Sequence, residues 1–444
     1  MSDTDLPAAT APADPRSTAW KWYICFLLLM GTVVNYMDRL TLNTMAGRII
    51  DEFGLSKAEY GWLELGFGLA FAAGAISFGA LVDRLNIYWL YPVVLVGWSA
   101  AGFLTGLSDT YWQLMACRVL LGFFEAGHFP CGLTTVQRLL EPRDRAMGNS
   151  LLQSGTALGA IIAPQVIKAL LTDDPESWRT PFLVIGAGGC VWVVFWLASV
   201  RSEDIARPTE SEEAPADTKL APAPAPVVYA RPEVPFLSVV LTPRFFCLAV
   251  MVVCINLNWH LFRVWLPLFL QKAREYEENE MLDFSTWYYV AADVGILVAG
   301  ALTGLLARKG FSVYGSRMTV YFVCCLLTTL TTAAAFLGKG PMLWATLMLV
   351  AAGGLGTFAA YYSLTQDLSV KHQGKTAGLL ATTTWLVTAT FHPLFGMYID
   401  RTDDYDTVVG AMGWLPMVAF VTILLLWNRG RPAAGPGAFP VAAR

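Results

Sequence analysis

Charge is scarce in this chain. Only 14% of its 444 residues are Asp, Glu, Lys or Arg, 55% are hydrophobic, and the mean hydropathy is +0.50. A soluble globular protein is about a quarter charged, and a single soluble core could not absorb so much apolar surface. A soluble domain is therefore excluded, and the class is a polytopic membrane protein. The eight cysteines include no CxxC pair and fall in or beside apolar stretches, where cysteine acts as a small hydrophobe. This argues against disulfides and thiol-bound metal. The four histidines, at 128, 260, 372 and 392, lack the spacing of metal ligands. The first 19 residues are acidic and rich in Pro and Ala. Without the basic start of a secretory leader they read as a cytoplasmic tail. Nucleophile elbows and phosphate-cradling loops are absent too, which argues against an enzyme. The glycine-rich "AAGGLGTFAAYYS" at 351–363 lies in an apolar run with no preceding strand. Small residues there serve close helix contact.

What is present is a series of long apolar runs. A spanning helix needs about 20 mostly apolar residues, and twelve candidates can be counted, from 20–46 and 112–138 through 244–270 and 374–396 to 407–428. The fold expected is an all-α membrane protein with twelve transmembrane helices in two six-helix halves. Its boundaries are a tail at 1–19, a bundle at 20–200, a cytoplasmic linker at 201–243, a second bundle at 244–428 and a tail at 429–444. The linker is charged and then Ala/Pro-rich. With the N-terminus inside, nineteen of the thirty Lys and Arg fall on the cytoplasmic side, eight on the other, and three within spans. This bias predicts that both termini are cytoplasmic. "GAL" recurs at Gly79 and Gly300, and Arg39 and Arg263 sit in the first and seventh spans. The spacing suggests a duplicated unit, the plan of carriers whose halves rock about a midplane site.

Against this background, charges inside the spans stand out: Asp38, Arg39, Glu64, Arg118, Glu125, Arg263 and Asp293. Intramembrane charges are costly and usually face a cavity and a partner. A carboxyl in a low-dielectric cavity holds its proton more firmly, and a nearby arginine opposes that. Asp38 and Glu125 are therefore candidate proton-coupling groups, or alternatively members of a fixed ion pair. Arg39 and Arg263 carry planar forks suited to a carboxylate, although Arg263, near a helix end, can also snorkel. Glu64 is either an outer-gate partner of an arginine or an interfacial residue. Tyr36, Gln153, Asn256, Asn258, Trp259, Trp287, Tyr361, Tyr362, Trp385 and His392 are polar and aromatic candidates for a sugar-like site, or for helix packing and the interface belt.

Several motifs resemble a known family. "GALVDRLN" at 79–86 is similar to the loop between the second and third helices of the major facilitator superfamily. It departs from that pattern after Arg84. Arg118, Gly122 and Ala126 resemble the superfamily's fourth-helix motif, with Leu121 where a glutamine is usual. "NYMDR" at 35–39 and "RVLLGFFEAGHFP" at 118–130 are similar to the anion:cation symporter family, which includes hexuronate and galactonate transporters. "WLPLFL" at 265–270, "QDLS" at 366–369 and "HPLFGMYID" at 392–400 agree with it. The resemblance, over roughly residues 20–430, implies that Arg39 binds a sugar-acid carboxylate, that Asp38 and Glu125 carry protons, and that Tyr36 and Gln153 line the pocket. Phe71 stands where a substrate-contacting tyrosine is found in galactonate-type members.

The expected function is import of a hexuronate or aldonate across the cell (inner) membrane by proton symport with alternating access. An anion exchanger or uniporter, a phosphate or dicarboxylate carrier, and a membrane receptor are the alternatives. Arg39, Tyr36, Gln153, Arg263, Asn256 and Trp259 are the expected substrate contacts, and Asp83, Arg84, Arg118 and Glu64 the gates. The partners expected are a small organic anion, protons and the lipid bilayer. No nucleic acid, cofactor or metal is expected, and the chain is expected to act as a monomer.

Overall fold

The computed structural model describes residues 16–141, 143–205, 236–366, 368 and 373–427, apart from the side chains of 146, 366, 373–375 and 377. Most of the predicted linker, most of the first tail, all of the second tail, and Asp367 and Ser369 of "QDLS" lie outside the described residues. Among the described residues the chain is helical throughout, without strands. That outcome follows from the solvent: inside a bilayer every backbone group must find its partner within the protein, and a helix does this by itself.

Twelve long helices follow in order: α1 (Thr18–Thr44), α2 (Lys57–Val82), α3 (Ile87–Thr105), α4 (Tyr111–Leu139), α5 (Arg145–Leu170), α6 (Arg179–Ser199), α7 (Pro243–Leu268), α8 (Glu278–Arg308), α9 (Val313–Ala334), α10 (Pro341–Gln366), α11 (Gln373–Thr402) and α12 (Tyr405–Leu426). Eleven are long and apolar enough to span a membrane on length and composition alone. The twelfth, α11, occupies the run expected at 374–396.

Local chemistry sets the starts. Ser56 and Glu59 form a capping box on α2, and Thr110 and Gln113 form one on α4. Ser17 caps α1, and Thr242 caps α7 just ahead of Pro243. Each satisfies amides that the first turn leaves unpaired. Two helices are irregular where it matters. α4 breaks between Glu125 and His128, and α7 passes from Pro267 into a π-helical turn at Phe269–Ala273. Proline and π turns are recognised causes of such breaks.

Neighbour relations repeat between the halves. α1 packs on α5, α2 on α4 and α3 on α6, and the same pattern recurs as α7 on α11, α8 on α10 and α9 on α12. The halves meet along α2–α11 and α5–α8, pairs that exchange when each helix is replaced by the one six positions away. The α2–α11 seam is built on small residues. A Cβ on Gly68 would lie 2.5 Å from the Ala389 Cβ, and one on Gly396 would lie 2.2 Å from the Lys57 carbonyl.

The seam is tight at one membrane face and loose at the other. At the tight face Arg48 binds Glu278 at 2.6 Å, Lys168 binds Asp283 at 2.7 Å and Lys272 binds Asp51 at 3.1 Å. Asp400 accepts from the Lys57 and Ala58 amides at 2.8 Å each. At the loose face Asp83 and Arg84 are exposed, and a Cβ added at Gly79, Gly300, Gly304 or Gly378 would meet open space.

Candidate functional site

Between the halves lies a cavity of about 280 Å³, near the lower end of the roughly 300–1,000 Å³ typical of small-molecule sites. Its first wall comes from α1, α4 and α5 and includes Tyr36, Arg39, Phe129, Gln153 and Thr156. The second comes from α7, α8, α10 and α11 and includes Asn256, Trp259, His260, Tyr289, Asp293, Tyr362 and Trp385. Helix periodicity produces these stripes. Tyr36 and Arg39 are three apart, Asn256 and His260 four apart, and Tyr289, Asp293 and Ile296 follow the same face of α8.

Arg39 dominates the first wall. It is 6% exposed, and its Nε and Nη2 both donate to one oxygen of Glu125, at 2.9 and 2.6 Å. The other oxygen of Glu125 is buried and accepts no hydrogen bond from the described residues. Aromatic faces surround the guanidinium: Phe71 at 5.0 Å, Phe67 at 5.5 Å, Tyr36 at 5.6 Å and Trp385 at 5.9 Å. Cation–π attraction replaces part of the hydration that burial removes. Phe71, which lacks the tyrosine hydroxyl, thus takes part as a ring against Arg39 and against Trp385, 4.5 Å away.

Asp38 does not pair with Arg39. Neighbours on a helix point about 100° apart and do not face each other. Asp38 turns instead towards α3, where a Cβ on Gly102 would lie 2.9 Å from its Oδ1. It is 2% exposed, and neither carboxylate oxygen accepts a hydrogen bond within the described residues. Arg39 pairs with Glu125 and not with its sequence neighbour Asp38.

Arg263 departs further from expectation, and of the two readings of Glu64 the structure shows the arginine partner. Arg263 does not line the cavity. Glu64, 2% exposed rather than interfacial, holds two arginines: Arg118 of α4 at 2.6 Å on one oxygen, and Arg263 of α7 at 3.5 Å on the other. One carboxylate therefore links the halves inside the protein. Phe67 lies beneath both Arg118, at 4.5 Å, and Arg39, so the two ionic groups share a wall.

Among the other candidates, Tyr36, Gln153, Asn256, Trp259, Tyr362 and Trp385 line the cavity. Asn256 donates to the Val252 carbonyl at 2.8 Å. Asn258 serves packing, donating to the Met412 carbonyl at 3.0 Å, and Trp287 is exposed on the outside of the bundle. Tyr361 and His392 are buried and are not among the cavity's lining residues. His128 sits between Thr32 Oγ1, at 2.8 Å, and Tyr91 Oη, at 3.0 Å, a satisfied buried histidine. Sequence reasoning missed His260, Tyr289, Phe129 and Thr156. Spacing from residues already in view could have found two of them: Tyr289 is one turn from Asp293, and His260 is one turn from Asn256.

Comparison with known proteins agrees with this architecture. A family model described as Major Facilitator Superfamily matches residues 28–393. The chain is 23% identical over 426 residues to the hexuronate transporter of Escherichia coli (strain K12), covering 93% of this chain and 95% of that one. It is 26% identical to the D-galactonate transporter of Escherichia coli O6:H1 (strain CFT073), covering 82% and 85%. It is 24% identical to a probable galactarate/D-glucarate transporter of Bacillus subtilis (strain 168), covering 94% of each. Among solved structures, a bacterial homologue of the human lysosomal transporter Spinster superposes with a TM-score of 0.76 at 16% identity, over 95% of this chain and all of that one. The nucleoside transporter NupG gives 0.69 at 12% identity, over 91% and 99%. These two likenesses bear on the fold alone.

Proposed function

Because the chain belongs to the Major Facilitator Superfamily, a family of non-enzymatic membrane transporters, we propose that it imports a carboxylated sugar, a hexuronate or an aldonate, by proton symport. The observation that carries this reading is Arg39, held on Glu125 at 2.6 Å in the wall of a cavity between two repeated halves. The named relatives that handle hexuronates and galactonate support the substrate class.

The proposed cycle follows from competition for Arg39. While Glu125 is ionised it occupies the guanidinium. A proton on Glu125 removes the charge that holds the pair, and a substrate carboxylate takes its place on Arg39, a fork suited to carboxylates. Release of the anion returns Arg39 to Glu125 and expels the proton. Substrate and proton then raise each other's affinity, as linkage demands. Asp38, buried against α3 with no hydrogen bond met by the geometry of the described residues, is proposed as the second proton carrier. Tyr36, Gln153, Asn256 and Trp259 are proposed to contact the sugar, because amides bond hydroxyls and aromatic faces stack on sugar rings.

With both termini placed in the cytoplasm, as the Lys and Arg distribution favours, the tight face is the outer one and the conformation is inward-facing. Glu64, holding Arg118 and Arg263, then belongs to the closed outer gate. Asp83 and Arg84 belong to the inner gate, which closes in the opposite state. The setting proposed is the bacterial cytoplasmic membrane.

Uptake into proteoliposomes tests the reading. Accumulation of a hexuronate or aldonate above its outside concentration should require an inward proton gradient and vanish in R39A. If uptake ignores the imposed gradient and D38N still concentrates substrate, proton symport is wrong. Transport of neutral sugars alone would remove the anion reading.

A further inference from the structure

Two of the cavity's lining residues carry formal charge, Arg39 on the first wall and Asp293 on the second. The account above uses Arg39 and leaves Asp293 without a role. Asp293 is half-buried in α8, on the same face as Tyr289 and Ile296, which also line the cavity. Among the described residues no cation or hydrogen-bond donor engages its carboxylate. It is thus a free acceptor directed at the site, unlike Glu64 and Glu125, whose oxygens hold arginines.

Arg39 and Asp293 face the same cavity from opposite walls, so an acid seated with its carboxylate on Arg39 presents its far end to the second wall.

We infer that Asp293 is a specificity-determining residue that selects mono-anionic, hydroxyl-rich acids and rejects diacids. With the carboxylate of such an acid on Arg39, its far hydroxyls donate to Asp293. A diacid brings a second carboxylate to the same place, where like charges repel and no lining cation other than the already occupied Arg39 is present to neutralise them. The inference rests on the sugar-acid reading and names which sugar acids qualify.

The test is ligand binding at fixed pH to purified wild type, D293N and D293E, comparing galactonate with galactarate, which differ at the far end. Wild type should favour galactonate by about tenfold or more, the size of one hydrogen bond to a charged group. D293N should bring the preference below about threefold, partly by binding galactarate more tightly, while D293E, which keeps the charge, should continue to reject the diacid. An unchanged preference in D293N overturns the role of Asp293, as does a wild type that binds both acids equally. Binding of neither acid by a folded wild type overturns the sugar-acid reading, and this inference with it.

Discussion

The two walls of the central cavity come from matching helices and have different chemistry. α1 and α5 on one side correspond to α7 and α11 on the other, and their packing partners repeat. Yet the first wall carries Arg39 with its bound Glu125, ringed by aromatic side chains, whereas the second offers Asn256, Trp259, Tyr289 and one unpaired carboxylate. The arginine of α7 that corresponds loosely to Arg39 has left the cavity for Glu64. Symmetry therefore governs the frame and not the site. In the function proposed above, the duplicated bundle supplies the hinge, the first half the charge exchange, and the second the shape and hydroxyl recognition.

The comparison can be broken by substitution. The largest effect should come from the group that ties the walls together. E64Q leaves Arg118 and Arg263 buried without a countercharge, and breaking a buried pair costs about 3–5 kcal/mol. A pronounced fall in the thermal unfolding midpoint is expected, and an unchanged midpoint would mean that the link contributes nothing to the state described. R39A should come next, lowering sugar-acid uptake about a hundredfold or more, with R39K recovering little because an ammonium lacks the fork. E125Q should abolish gradient-driven accumulation while counterflow exchange persists, since it removes the proton and keeps the shape. Retention of accumulation would move coupling to Asp38. On the second wall, W385A should raise the half-saturation concentration about tenfold or less through lost ring contact, and N256A should raise it only a few-fold. If N256A costs more than R39A, the assignment of charge exchange to the first wall fails.

Much of this was legible in the sequence, and the rest failed for identifiable reasons. Twelve apolar runs are enough to call for helices in a bilayer, and rare charges within them mark the interior. Arg39 and Glu125 reach the site that way, Asn256 and Trp259 as polar and aromatic residues within the spans, and Tyr36 and Gln153 also through the family resemblance. What one sequence cannot supply is direction. Asp38 and Arg39 are adjacent and diverge because a helix turns about 100° per residue, so which neighbour each meets is a tertiary fact. Glu64 left two readings open, an arginine partner or an interfacial residue, because span ends are soft by a turn, and it is buried with its arginines because α2 lies against α7 and α11 at that level. Arg263 read as a second substrate arginine from its position in the matching helix. Its partner, Glu64, is 199 residues away.

The tight face has one more consequence. Its three lysine and arginine bridges, Arg48–Glu278, Lys168–Asp283 and Lys272–Asp51, are all partly exposed. Exposed pairs contribute about 0–1 kcal/mol each, and added salt weakens them as the screening length shrinks from about 10 Å at 0.1 M to about 3 Å at 1 M. These three bridges between the halves should therefore weaken as ionic strength rises, while the buried Glu64 link is screened much less.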